Sequence, residues 1–175
     1  MKKGFRGGAG FVIGICLFVG FDAFVLAQRQ SGVSSTAKKE TNRMFHASGE
    51  FEVKMTPQPA DDKSAGAAIG RFILDKTIHG DLDATSKGEM LAVMAVQGSA
   101  GYVAMEQVTG KLNGRNGSFA LQHSGTMTRG APQLSVTVVP DSGTDQLKGL
   151  AGKMTIKIEG ARHFYEFEYT LPENP

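Results

Sequence analysis

The chain has few of the groups that covalent or metal chemistry uses. Its 175 residues include one cysteine and no tryptophan. The cysteine, Cys16, lies in an apolar N-terminal run, so the rest of the chain has no thiol nucleophile, disulfide or thiolate metal site. The histidines His46, His79, His123 and His163 are scattered rather than set at metal-ligand spacing. HExxH patterns, phosphate-binding loops before a helix, dinucleotide fingerprints and nucleophile elbows are all missing. No metal or cofactor is therefore expected. Asn116-Gly117-Ser118 matches a glycosylation acceptor, but Asn-Gly also suits the tip of a hairpin.

Long apolar runs are also missing. The Ala9 to Gly20 run is shorter than the roughly 20 residues that span a bilayer. Lys2, Lys3 and Arg6 precede it and Val25-Leu26-Ala27 follows it, which marks residues 1–27 as a cleaved export signal with Gln28 as the new N-terminus. The isoleucine before Cys16 does not fit lipid attachment. A periplasmic or secreted protein with no membrane anchor after cleavage is expected. The chain has 19 basic and 17 acidic residues; the signal removes three cations and one anion, leaving 16 of each. A neutral mature chain offers no basic face to nucleic acid.

What remains is alternation. Residues 28–43 are a polar lead-in with too little apolar content to fold. From residue 44 to 172, apolar and polar residues alternate in short runs separated by turn signals such as Pro57-Gln58-Pro59, Gly80-Asp81 and Arg129-Gly130-Ala131-Pro132. About eight strands and no convincing helix predict an all-β domain, an eight-stranded antiparallel up-and-down barrel. An eight-stranded barrel encloses packed side chains or one small ligand. Leu82 to Ser86 and Met90 to Val96 read as one broken strand or two short ones. The stretch from Leu112 to Phe119 returns as Leu147 to Met154 in the pattern Leu-x-Gly-x-x-Gly-x-apolar, which suggests two copies of one hairpin.

Parity selects the inward residues. Before the glycine turn the even row is Tyr102, Ala104, Glu106, Val108, Gly110 and Leu112; after it the odd row is Phe119, Leu121, His123, Gly125 and Met127. A two-residue loop near Gly114 to Asn116 makes these rows one face of a hairpin. Glu106 and His123 are the ionisable residues in those rows, and they fall opposite or diagonal to each other. In the second copy, Ile158 occupies the slot that matches His123. The pair fits three roles: mutually satisfied buried groups, polar fixtures of a ligand site, or an acid–base couple. Lys76 shares the parity of Phe72 and Leu74 and is placed at the barrel rim with its head in solvent. Glu50, Glu52, Glu166 and Glu168 fall on outward rows.

The runs HGDLDATSKGEML, GSAGYVAMEQVTGKLNGRNGSFALQHSGTMTRG and LSVTVVPDSGTDQLKGLAG resemble a bacterial family of unknown function grouped by fold with the plant allene oxide cyclases. The resemblance covers about Phe45 to Pro172 and implies a lipocalin-like barrel. The cyclases' catalytic residues find no counterpart positions here, so the resemblance implies a fold and no activity. The expected function is binding of a small, mostly apolar molecule in the lumen. Glu106, His123, Tyr102, Phe119 and Tyr165 are the candidate contacts. The alternatives are a small-molecule isomerase or cyclase using Glu106 and His123, and a structural barrel with a filled lumen. Val103 and Met105, apolar on an outward row, leave room for a homo-oligomer.

Overall fold

The computed structural model describes residues 43–59 and 69–172. The expected export signal, all of the lead-in but its last residue, and the loop over residues 61–66 lie outside the described residues. The strands are β1 (Met44–Gln58), β2 (Ile69–Gly80), β3 (Leu82–Val96), β4 (Ser99–Leu112), β5 (Arg115–Thr128), β6 (Ala131–Val138), β7 (Ala151–Glu159) and β8 (Arg162–Thr170). Each pairs antiparallel with the next and β8 returns to β1, so the sheet closes as the expected barrel. Closure is narrowest between β6 and β7, which pair at Val136–Met154 and Thr137–Lys153, and period-two alternation puts one row of each strand inside. Leu82 to Val96 is a single strand: Gly88 does not interrupt it, because its backbone pairs with Leu74 on one side and Glu106 on the other.

The two ends of the barrel differ. The β2–β3, β4–β5 and β6–β7 connections meet at one end, which is packed shut by Leu82, Leu112, Leu147, Leu150 and Leu171. Above them Phe119 stacks on Phe167, Phe167 on Tyr169, and Tyr169 on Phe45, with ring centroids 5.2–5.9 Å apart. Offset stacks at such distances add to the stabilisation from buried area. Toward the other end the inward rows become progressively exposed, and Met94 (72%) and Ile158 (63%) stand at a mouth. The lumen is therefore packed at one end, while the inward rows of the other end, the cup, are partly exposed.

Three sequence expectations are corrected. The hairpin tip is Asn113-Gly114, one position earlier than expected, and both residues have positive φ (47° and 80°) as a two-residue hairpin turn requires. The Asn113 side chain donates to the His46 carbonyl and to the Tyr169 hydroxyl, which ties the tip to β1 and β8. Asn116-Gly117 lies within β5. A Cβ on Gly117 would come within 2.5 Å of the Thr144 carbonyl oxygen, so this glycine makes room for the segment that follows β6.

That segment is the second correction. The apparent repeat is not a hairpin: a 3-10 turn at Asp145–Leu147 leads into β7, and Leu147 and Leu150 plug the barrel. β6 pairs with β5 only over Leu121–Thr128, and the plug segment serves the backbone donors left over on β5. Asn116 donates to the Gln146 side chain, Ser118 to Thr144 Oγ1 and Ala120 to Ser142 Oγ. Buried backbone donors need such partners. Third, Ile158 does not occupy the depth of His123. It stands at the open mouth, so its identity carries no information about what the interior tolerates.

Candidate functional site

Where the packed half of the lumen gives way to the cup, four strands contribute polar side chains. Lys76 comes from β2, Ser86 from β3, Glu106 from β4 and His123 from β5. Lys76 is directly opposite Ser86 in the ladder, Glu106 is opposite Gly88, and His123 is opposite Ala104. The cluster therefore climbs two residues toward the mouth at each step from β3 to β4 and from β4 to β5. Those are the diagonal contacts that long side chains bridge across neighbouring strands.

Glu106 is the hub. Its Oε1 accepts a hydrogen bond from Lys76 Nζ at 2.5 Å, and its Oε2 accepts one from Ser86 Oγ at 2.8 Å. His123 Nε2 lies 3.2 Å from the same Oε1, but off the line a hydrogen bond needs. Among the described residues, Nε2 has no hydrogen-bond partner. Glu106 is 2% exposed, His123 3% and the Lys76 side chain 10%. The Lys76 ammonium also lies over the Phe51 ring, 4.7 Å from its centroid, which offsets part of the cost of removing it from water.

Burial drives the His123 imidazole down to a pKa of about 4; Glu106 opposes that shift and Lys76 reinforces it. The imidazole is therefore neutral near pH 7. Tyr102, two inward positions from Glu106 along β4 toward the mouth, is half-buried. Its hydroxyl is pushed up, first by burial and then by the negative charge of Glu106. Its ring lies over Gly125, where a Cβ would come within 2.2 Å of it.

Space for the carboxylate comes from Gly88. A Cβ there would meet the Met105 carbonyl oxygen at 2.3 Å and Glu106 Cγ at 2.7 Å. Gly88→Ala is expected to push the Glu106 side chain away from Ser86 and cost about 1–3 kcal/mol, the usual penalty of overpacking. Urea unfolding checks the loss, and an unchanged midpoint would refute it.

Parity placed Glu106, His123 and Tyr102 together correctly. It misjudged Lys76, whose head is not in solvent: Glu106 gives it a buried partner, and the inward row of Phe72, Leu74 and Ile78 was the available signal. Parity alone does not mark Ser86; the available signal is that it interrupts the buried row of Leu82 and Ala84. Phe119 and Tyr165 lie elsewhere. Phe119 belongs to the aromatic stack of the packed half, and the Tyr165 hydroxyl accepts from the Leu82 amide and donates to the His79 carbonyl at the β2–β3 turn. The paired glutamates are on the outer face as expected, where Glu166 meets His46 and Glu168 meets Lys153. Val103 and Met105 are also outside, beside exposed Leu91 of β3.

Comparison with known proteins adds a family and no activity. A family profile described as "Protein of unknown function (DUF3224)" matches residues 47–169. A crystal structure of a DUF3224-family protein of unknown function from Shewanella oneidensis MR-1 is 53% identical, with a TM-score of 0.70. The match covers 74% of this chain and 98% of that one. No curated protein matches the chain.

Proposed function

Since the chain belongs to the DUF3224 family, whose function is unknown, we propose a role from its lumen: an exported barrel that binds a small, mostly apolar molecule in its open half. The observation that carries this reading is a buried polar cluster at the foot of inward rows that become exposed toward the mouth. Apolar walls including Phe72, Met90 and Ile156 rise from a floor of Lys76, Ser86, Glu106 and His123, and one buried polar atom of that floor is unused. A concave apolar surface with a few convergent polar groups is the ordinary form of a small-molecule site. Export rests on the basic, apolar and small-residue order of residues 1–27.

Catalysis by Glu106 is the weaker reading, because both carboxylate oxygens already accept hydrogen bonds and neither is free to take a substrate proton. The outer patch of Leu91, Val103 and Met105 suits contact with a second copy, but it would leave the lumen unexplained.

Native mass spectrometry of the full-length gene product, expressed in its own host and taken from the periplasmic fraction, tests both parts. The expected spectrum shows a chain beginning at Gln28 with a retained adduct that is released on unfolding. An uncleaved chain in the cytoplasmic fraction would refute export, and a consistently empty barrel that binds no apolar probe would refute the lumen reading.

A further inference from the structure

The chain has eight methionines, and seven of them fall within the barrel strands. Methionine is ordinarily a core residue, yet of these seven only Met154 is buried, at 8% exposure. Met55, Met90, Met94 and Met127 lie on the inward rows of β1, β3 and β5 toward the mouth, past buried Phe51, Ser86 and His123. Three of the four are well exposed there: Met94 at 72%, Met55 at 54% and Met127 at 41%. Met94 is opposite Ala100 of β4, and Ala100 is opposite Met127, so one small residue separates the two methionines across the sheet. The described residues contain neither cysteine nor tryptophan. Their thioethers are therefore the side chains that a mild two-electron oxidant attacks first, and exposure decides which of them it reaches.

We infer that the mouth of the barrel is a methionine oxidation site, at which a hydroperoxide converts Met55, Met94 and Met127 to sulfoxides and turns an apolar rim polar. Each sulfur gives two electrons to the O–O bond. One peroxide oxygen stays on sulfur as the sulfoxide, and the other leaves as water or an alcohol. Methionine sulfoxide reductases reverse the step: the sulfoxide oxygen leaves as water while two thiols become a disulfide. The fold tolerates the change, because the three rim side chains are exposed, whereas Met154, which belongs to the core, is shielded. Position gives the reaction its consequence. Met44 and Met105 are also exposed, but they stand on outward rows, where a sulfoxide leaves the mouth as it was. On the inward rows a flexible apolar side chain becomes a polar hydrogen-bond acceptor in the path of an apolar molecule. That effect on a ligand rests on the lumen being a binding site; the oxidation does not.

Hydrogen peroxide treatment of the purified protein, followed by peptide mapping, tests the site. Met94, Met55 and Met127 are expected to gain one oxygen each at least about tenfold faster than Met154, with the circular dichroism unchanged. Oxidation is expected to weaken binding of the apolar fluorophore 1-aminoanthracene about tenfold, and treatment with the reductases to restore it. The triple variant Met55→Leu/Met94→Leu/Met127→Leu keeps an apolar mouth, and its affinity is expected to survive oxidation of Met44 and Met105. If the rim methionines react no faster than Met154, or if the triple variant loses affinity as the unaltered protein does, the inference fails. If untreated protein binds no fluorophore, the lumen reading falls and the mapping alone decides the oxidation site. Should the triple variant not fold, the mapping and the recovery on reduction, both read on the unaltered protein, still decide.

Discussion

Replacing Glu106 with leucine is expected to destabilise the barrel by about 3–5 kcal/mol, the usual cost of leaving one member of a buried ion pair without its partner. Lys76 is the group left behind, with its side chain 10% exposed and its Nζ 2.5 Å from the carboxylate in the intact protein. Lys76→Met should cost a similar amount, because it leaves the anion with the Ser86 hydroxyl as its remaining hydrogen-bond donor among the described residues. The informative variant is the double one. With both charges gone, leucine and methionine fill the space with apolar atoms, and the principal remaining penalty is the Ser86 hydroxyl without its acceptor, about 1–3 kcal/mol. The double variant should therefore be more stable than either single variant. A double-mutant cycle by urea unfolding would show a coupling of about 2 kcal/mol or more. Additive single effects would mean that the two side chains do not hold each other in solution.

The second large effect is on pH dependence. With the His123 pKa lowered from 6.5 to about 4, the unfolded chain binds a proton more readily than the folded one throughout that interval. Stability attributable to His123 is therefore fully present above pH 6.5 and is lost as the pH falls toward 4. At 1.36 kcal/mol per unit, the unaltered protein should lose about 2–3 kcal/mol relative to His123→Leu between neutral pH and pH 4.5. Using the difference between the two proteins removes the common contribution of the carboxylates. Titration of the imidazole by NMR gives a direct check: resonances of His123 that move with a midpoint near 6.5 would refute both the buried neutral state and the stability slope.

These two results would also test how the floor of the cup is held together. Lys76 and Glu106 form a charge pair that needs both members, and His123 is an uncharged neighbour whose position depends on remaining so. Protonation of the imidazole would place a second cation beside Lys76.

Much of this was legible in the chain itself. Strand alternation fixed which rows face inward, since a one-residue slip would exchange every buried side chain for an exposed one. It put Glu106 and His123 on the same side of a hairpin, and it required only that the loop have an even number of residues. Exposure of the paired glutamates followed from the same rule. Closure into a barrel followed from amphipathic strands joined by short turns, which would otherwise leave edges open.

Depth along the barrel axis was another matter. Parity says which face a residue is on, and nothing about how far it lies from a mouth. Ile158 and His123 each lie on the inward row of their strand and have similar sequence surroundings, yet one is at the rim and the other is buried. The Leu147–Met154 stretch resembled a hairpin because glycine spacing is shared by hairpin tips and by segments that pack tightly against a strand; contact with Gly117 made it a plug. Lys76 looked like a rim residue because its partner is thirty positions away on a strand that is not its neighbour. The sequence by itself determined the rows, the strand count and the polar pair within one hairpin, since those depend on local periodicity. Only the tertiary structure decided that Lys76 and Ser86 join that pair, that one half of the lumen is core, and that the other half is open. Those facts depend on the stagger between strands and on what closes each end, which no single strand encodes.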